Sequence, residues 1–160
     1  MKTITIETKV KCFCWEELSR EDQELINSAI EATQCSYAPY SHFHVGAAVR
    51  LVNGVIITGS NQENAAFPSG LCAERTALFY ANSRYPHLAV DTLAIAARTV
   101  EGVLSEYPIS PCGACRQVMI ETEKRYGRFM KVLFYGSKEI YAIDCAASLL
   151  PFSFDGEQLK

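Results

Sequence analysis

Two short segments hold the residues best suited to chemistry: C-A-E-R at Cys72 to Arg75, and P-C-G-A-C at Pro111 to Cys115. Together they offer three thiols and one carboxylate. Cys112 and Cys115 flank two residues, the usual spacing for two ligands of one zinc ion. Cys72 precedes Cys112 by 40 positions and can join the pair only through the fold. Three thiolates can hold a zinc and leave its fourth position to water, which is what separates a catalytic zinc from a closed structural one. Glu74, two residues after Cys72, is near enough to handle that water's protons. The chemistry implied is zinc-assisted hydrolysis, with one zinc per chain.

Each motif alone is weak. A lone C-x-x-C is as often a redox pair or half of a closed zinc knuckle. C-A-E-R alone reads as a surface helix start whose acidic residue suits the helix dipole. The joint pattern is more specific, because it supplies ligands, a proton carrier and a cation. Both motifs open predicted helices, whose free N–H groups and partial positive charge favour thiolates. Three thiolates on a divalent ion leave a charge of −1, and Arg75 can offset it by donating to a ligand sulfur.

The elements that must position these residues follow from periodicity. Thr3 to Val10 reads as a short strand or extended arm. Trp15 to Gln34 has helical spacing, with Ser19 and Asp22 as a capping signal. Tyr37 to Phe43 is a loop. Val45 to Val52 and Val55 to Ser60 flank Asn53-Gly54, a hairpin signal. A loop over Asn61 to Leu71 leads to a helix from Cys72 to about Asn82. Thr92 to Ala97 is an apolar strand, expected to be buried on both faces. The second motif opens a helix that ends near Gly127. Strands follow at Lys131 to Tyr135 and Glu139 to Ile143, then a short helix from Cys145 to Leu150. Strands separated by helices favour an α/β sheet covered on both faces.

The 160 residues suit one domain, 1–160, with 1–14 as an N-terminal extension. A net charge of −3 argues against a nucleic-acid surface. Met1 to Val10 lacks the apolar block of a secretory signal. No run of eighteen apolar residues suggests a membrane span. Seven cysteines, an odd number, argue for free thiols or metal ligands and a cytoplasmic setting. Cys12, Cys14, Cys35 and Cys145 are expected to be small buried hydrophobes.

From Tyr37 to Phe154 the chain resembles the zinc-dependent cytidine deaminases, specifically the small homotetrameric class that acts on free nucleosides. Four motifs carry the likeness: Y-A-P-Y-S-H-F-H-V-G-A-A, N-Q-E-N-A-A-F, C-A-E-R-T-A-L-F and S-P-C-G-A-C-R-Q-V. The resemblance implies a three-layer α/β/α sandwich with a mixed sheet, and zinc held by Cys72, Cys112 and Cys115. It implies that Glu74 shuttles protons. It also implies that Asn61 and Glu63 bind the sugar hydroxyls, that Phe43 packs on the pyrimidine, and that the backbone at Ala73 lines the pocket. Arg75 and Gln117 would tune the ligands, and Phe154 would close a neighbouring subunit's site. His42, His44 and His87 are not ligands in this reading, and His42 and His44 are expected to be exposed.

The chain departs from that pattern at Phe67, where the family usually has tyrosine, and in the turn Pro68-Ser69-Gly70. Three rivals remain. A blasticidin-S-type deaminase shares the zinc motifs but lacks the N-x-E pattern of Asn61 and Glu63. A polynucleotide editor generally has histidine as first ligand. A structural zinc module would need a fourth cysteine, such as Cys35, to close the site.

Overall fold

A computed structural model describes residues 1–159. Its centre is a six-stranded mixed sheet in the order β1-β6-β5-β4-β2-β3. The strands are β1 Lys11–Phe13, β2 His44–Leu51, β3 Ile56–Ser60, β4 Val90–Arg98, β5 Lys131–Tyr135 and β6 Ile140–Ile143. Three α-helices cover it: α1 Arg20–Ala32, α2 Ala73–Arg84 and α3 Gly113–Tyr126. The expected three-layer α/β/α sandwich is the one observed, with α1 on one face and α2 and α3 on the other.

Side-chain alternation sorts the two faces. Ala47, Val49 and Leu51 of β2 pack with Ala77 and Leu78 of α2 and Met119 of α3. Ala48, Ala94, Ala96 and Ala142 turn the other way, toward Leu25, Ile26 and Ala29 of α1. Leu93 to Ala97 of β4 are buried throughout, as their apolar run foretold.

Strand polarity brings the two motifs together. Both β3 and β4 pair antiparallel with β2, so they run parallel to each other. β4 and β5 are paired in parallel. Parallel strands need crossovers, and α2 and α3 are those crossovers. Since β3 and β4 end on the same side of the sheet, α2 and α3 begin on that side. Ligands of open α/β sheets commonly sit at such carboxyl ends.

Gly59 sets the depth of α2. A Cβ there would lie 2.5 Å from Ala77 N and 2.8 Å from Ala73 O. Only glycine lets the first turns of α2 rest directly on β3.

Several local expectations are corrected. Residues 1–10 hold no strand; the paired segment is Lys11–Phe13, whose partner β6 fixes its register. The helix expected over Trp15 to Gln34 is broken. A 3-10 turn, Trp15–Glu17, precedes an extended Leu18, and α1 starts where Ser19 accepts from Asp22 N. The helix expected from Cys145 is a 3-10 turn, Ala146–Leu149. The hairpin after β2 turns at Gly54, φ 86°, where Leu51 N donates to Val55 O at 2.9 Å. Cys12, Cys14 and Cys35 are exposed and Cys145 half-buried, so none is a core residue.

Candidate metal and nucleoside site

Cys72 is the N-cap of α2 and Cys112 the N-cap of α3, and neither side chain caps its own helix. Their thiols point at each other instead. The sulfurs of Cys72 and Cys112 are 3.7 Å apart, and those of Cys112 and Cys115 are 3.5 Å apart. All three lie within 4.8 Å of one another and form, among the described residues, the one Cys/His/carboxylate group able to hold a metal ion. A tetrahedral zinc with bonds of about 2.3 Å spaces its sulfurs by about 3.8 Å. The triangle fits that ion. Cys35 is not part of that group, so it does not close the site.

The electrostatics agree with a cation. The Cys72 thiol is lowered to about 5 by hydrogen bonds from Cys115 and Arg75. Cys115 is pushed up by its bond to Cys72 and by burial. One thiolate in so small a space opposes the next, and a divalent cation relieves that conflict. Arg75 Nη2 lies 3.8 Å from Cys72 Sγ and donates to Gly70 O at 3.4 Å, while its buried Nε has no protein partner. Glu74, 4% exposed, sits in the first turn of α2 beside these thiols. Burial pushes its carboxyl up, and the Cys72 charge adds to the effect. Ala73 is fully buried at the first helical position, where its N–H has no intrahelical partner.

A cleft of about 490 Å³ runs from Ser41 past Asn61, Glu63 and Phe67 to Cys72 and Arg75. Asn61 and Glu63 stitch its rim to the 37–45 segment. Asn61 Oδ1 accepts from Ser36 Oγ at 2.6 Å and Val45 N at 2.8 Å, and its Nδ2 donates to Phe43 O at 2.9 Å. Glu63 Oε2 accepts from Tyr40 N at 2.9 Å and Ser41 N at 3.3 Å, while Oε1 accepts from Ser41 Oγ. After these bonds Asn61 keeps one N–H, and Glu63 keeps about one acceptor position on Oε1. Phe43 is half-buried, His42 exposed and His44 half-buried rather than exposed. Phe67, 76% exposed, meets the Tyr40 ring edge-on at 5.9 Å.

Phe154 is 56% exposed and lies outside the cleft of its own chain. Gln117 Nε2 donates to the Phe154 carbonyl at 2.7 Å, so Gln117 holds the C-terminal segment rather than a ligand sulfur. Its neighbours on α3 do likewise. Arg116 donates to Leu149 O at 2.9 Å and Lys124 pairs with Asp155 at 3.3 Å. Glu123, which sequence reasoning missed, is buried and accepts from Met130 N at 2.7 Å and Ala146 N at 2.8 Å.

Comparison with known proteins decides the family. Residues 19–130 match the cytidine and deoxycytidylate deaminase zinc-binding region. The chain belongs to that family. A cytidine deaminase of Sporosarcina psychrophila is 39% identical over 86% of this chain and 94% of its own. One from Halalkalibacterium halodurans is 46% identical over 62% of this chain and 70% of its own. The crystal structure of a cytidine deaminase from Burkholderia pseudomallei superposes with a TM-score of 0.72 at 36% identity, covering 86% of this chain and all of that one. For a member of this deaminase family the metal is zinc, and the thiol triangle suits it.

Proposed function

We propose that this chain is a zinc-dependent cytidine deaminase that converts cytidine and deoxycytidine to uridine and deoxyuridine with release of ammonia. The observation that carries the reading is the buried Glu74 beside three thiols at two converging helix N-termini. Cys72, Cys112 and Cys115 are the ligands. Zinc bound there supplies a Lewis acid that brings the pKa of water from about 16 toward neutrality.

The chain's own groups do the rest. Glu74 accepts a proton from the attacking water and delivers it to ring nitrogen 3, as carbon 4 gains the oxygen. Glu74 then takes the remaining proton from the hydroxyl on carbon 4 and passes it to the amine, so the carbonyl forms as the carbon–nitrogen bond breaks and ammonia leaves. A carboxyl raised by burial suits a group that must accept and donate in turn. Arg75 moderates the charge on Cys72, and the Ala73 N–H lines the pocket.

Asn61 and Glu63 recognise the sugar through the one N–H and one lone pair left to them. Phe43 packs on the pyrimidine. An ionised Glu63 repels phosphate, so free nucleosides are preferred over monophosphates. Deamination serves pyrimidine salvage, and seven cysteines with no disulfide among them suit the reducing cytoplasm. Among the described residues no helix is long and apolar enough to cross a membrane.

The assembly we infer is a homotetramer in which Phe154 covers a neighbour's pocket. Its support is the exposure of Phe154, together with Phe79 and Tyr80 on the outer side of α2 at 46% and 56%. The decisive assay is loss of ultraviolet absorbance with cytidine, deoxycytidine, their monophosphates, cytosine and blasticidin S, alongside light scattering for mass. Turnover confined to blasticidin S, or faster on monophosphates, overturns the substrate assignment. A monomeric mass overturns the shared site.

A further inference from the structure

The segment between Tyr37 and Phe43 is a turn and loop outside the helices and strands, and its Tyr40 and Ser41 line the cleft that also reaches Cys72. One side chain ties its working groups together. Ser41 Oγ donates to Glu63 Oε1 and accepts from Phe43 N at 3.1 Å. The Ser41 backbone N–H reaches the other Glu63 oxygen at 3.3 Å. A hydroxyl is suited to this place because it donates and accepts at once.

The turn is set for it. His42 N donates to Ala38 O at 3.0 Å, and His42 adopts φ 54°. A left-handed backbone at a non-glycine residue persists only where surrounding bonds enforce it. The Glu63 carboxyl is held below its ordinary value by the Ser41 hydroxyl first and the Tyr40 N–H next.

We infer that Ser41 is a positioning residue for nucleoside recognition: its one hydroxyl joins the Glu63 carboxylate to the Phe43 backbone, so that sugar and ring contacts are presented as a preset unit. The inference rests on the nucleoside deaminase reading and adds a residue to it. Alanine at this position frees Oε1 to rotate and leaves the Phe43 N–H without a side-chain partner. A lost hydrogen bond to a charged group corresponds to about a ten- to hundredfold change in an equilibrium constant.

The test uses full-length, zinc-loaded wild type, Ser41→Ala and Ser41→Thr. KM and kcat are measured on cytidine and on N1-methylcytosine, which has a methyl group in place of the sugar. The expected result for Ser41→Ala is a KM for cytidine raised about tenfold or more. Turnover should change less than about threefold with zinc content unchanged, and kcat/KM on N1-methylcytosine, which keeps the ring contact and lacks the sugar, should fall by less than that on cytidine. Ser41→Thr, which keeps the hydroxyl, should recover most of the loss. Circular dichroism and zinc content of both variants report folding. A KM for cytidine within about twofold of wild type overturns the role of Ser41, as does an equal loss on both substrates. Wild type inert on every cytosine compound overturns the deaminase reading itself, and Ser41's role falls with it.

Discussion

The two halves of the site are held by different means. The thiol half is placed by the sheet: strand polarity starts α2 and α3 on one side, and Gly59 seats α2 on β3. The recognition half is placed by side chains added to a few backbone bonds, Tyr37 N to Asn61 O, Glu63 N to Tyr37 O and Asn61 N to Val45 O. Asn61, Glu63 and Ser41 knit the 37–45 segment to the residues just after β3 through five hydrogen bonds in which a side chain takes part, and Phe43 N to Ser41 Oγ braces the segment itself. A side chain in the first half can be lost without moving the scaffold. In the second half the residues that would meet the substrate are also the ones that shape the loop. Binding and structure are separable on one side of the cleft and fused on the other.

The largest expected effect breaks the thiol half. Cys72→Ala should lose zinc and fall to background turnover, while far-ultraviolet circular dichroism stays native; full zinc occupancy with full activity would remove Cys72 from the ligand set. Next comes Glu74→Gln, which keeps the shape and removes the proposed proton carrier. Turnover should drop about a hundred- to ten-thousandfold with zinc retained, and a variant within about threefold of wild type would exclude a shuttle far inside that range.

The smallest of the three effects sharpens the contrast. Asn61→Ala unpairs the Val45 N–H and frees the Phe43 carbonyl, so it should cost about 1–3 kcal/mol of stability besides raising KM. Amide exchange should accelerate in residues 37–45 and not at the start of α2. Uniform acceleration across both regions would dissolve the distinction between them.

The same division explains what was legible in the sequence. The strands and the crossover helices follow from period and turn residues, which are local signals; that C-A-E-R meets P-C-G-A-C is implied by the complementary residue types of the two motifs and by the family resemblance. Their order favours a sheet covered on both faces, and the family resemblance implies the three-layer sandwich. What escaped was decided by remote partners. The first strand lies at Lys11–Phe13 because β6 pairs there, not where alternation was strongest. The break after Leu18 reflects Ser19 capping α1, a signal that was visible but outweighed by the helical run on either side. Gln117, Glu123 and Ser41 have their partners 37, 23 and 22 positions away in sequence, and no periodicity reports such bonds. The exposed Cys12 and Cys14 show that residue type alone does not fix burial at a sheet edge.

One element spans both sides of this account. The helix α3 carries Cys115 in its first turn, and Arg116, Gln117, Glu123 and Lys124 grip the chain from Ala146 to Asp155. Gln117, which holds the Phe154 carbonyl, lies two residues from Cys115, so the start of a single helix both places a ligand sulfur and anchors the C-terminal aromatic's backbone.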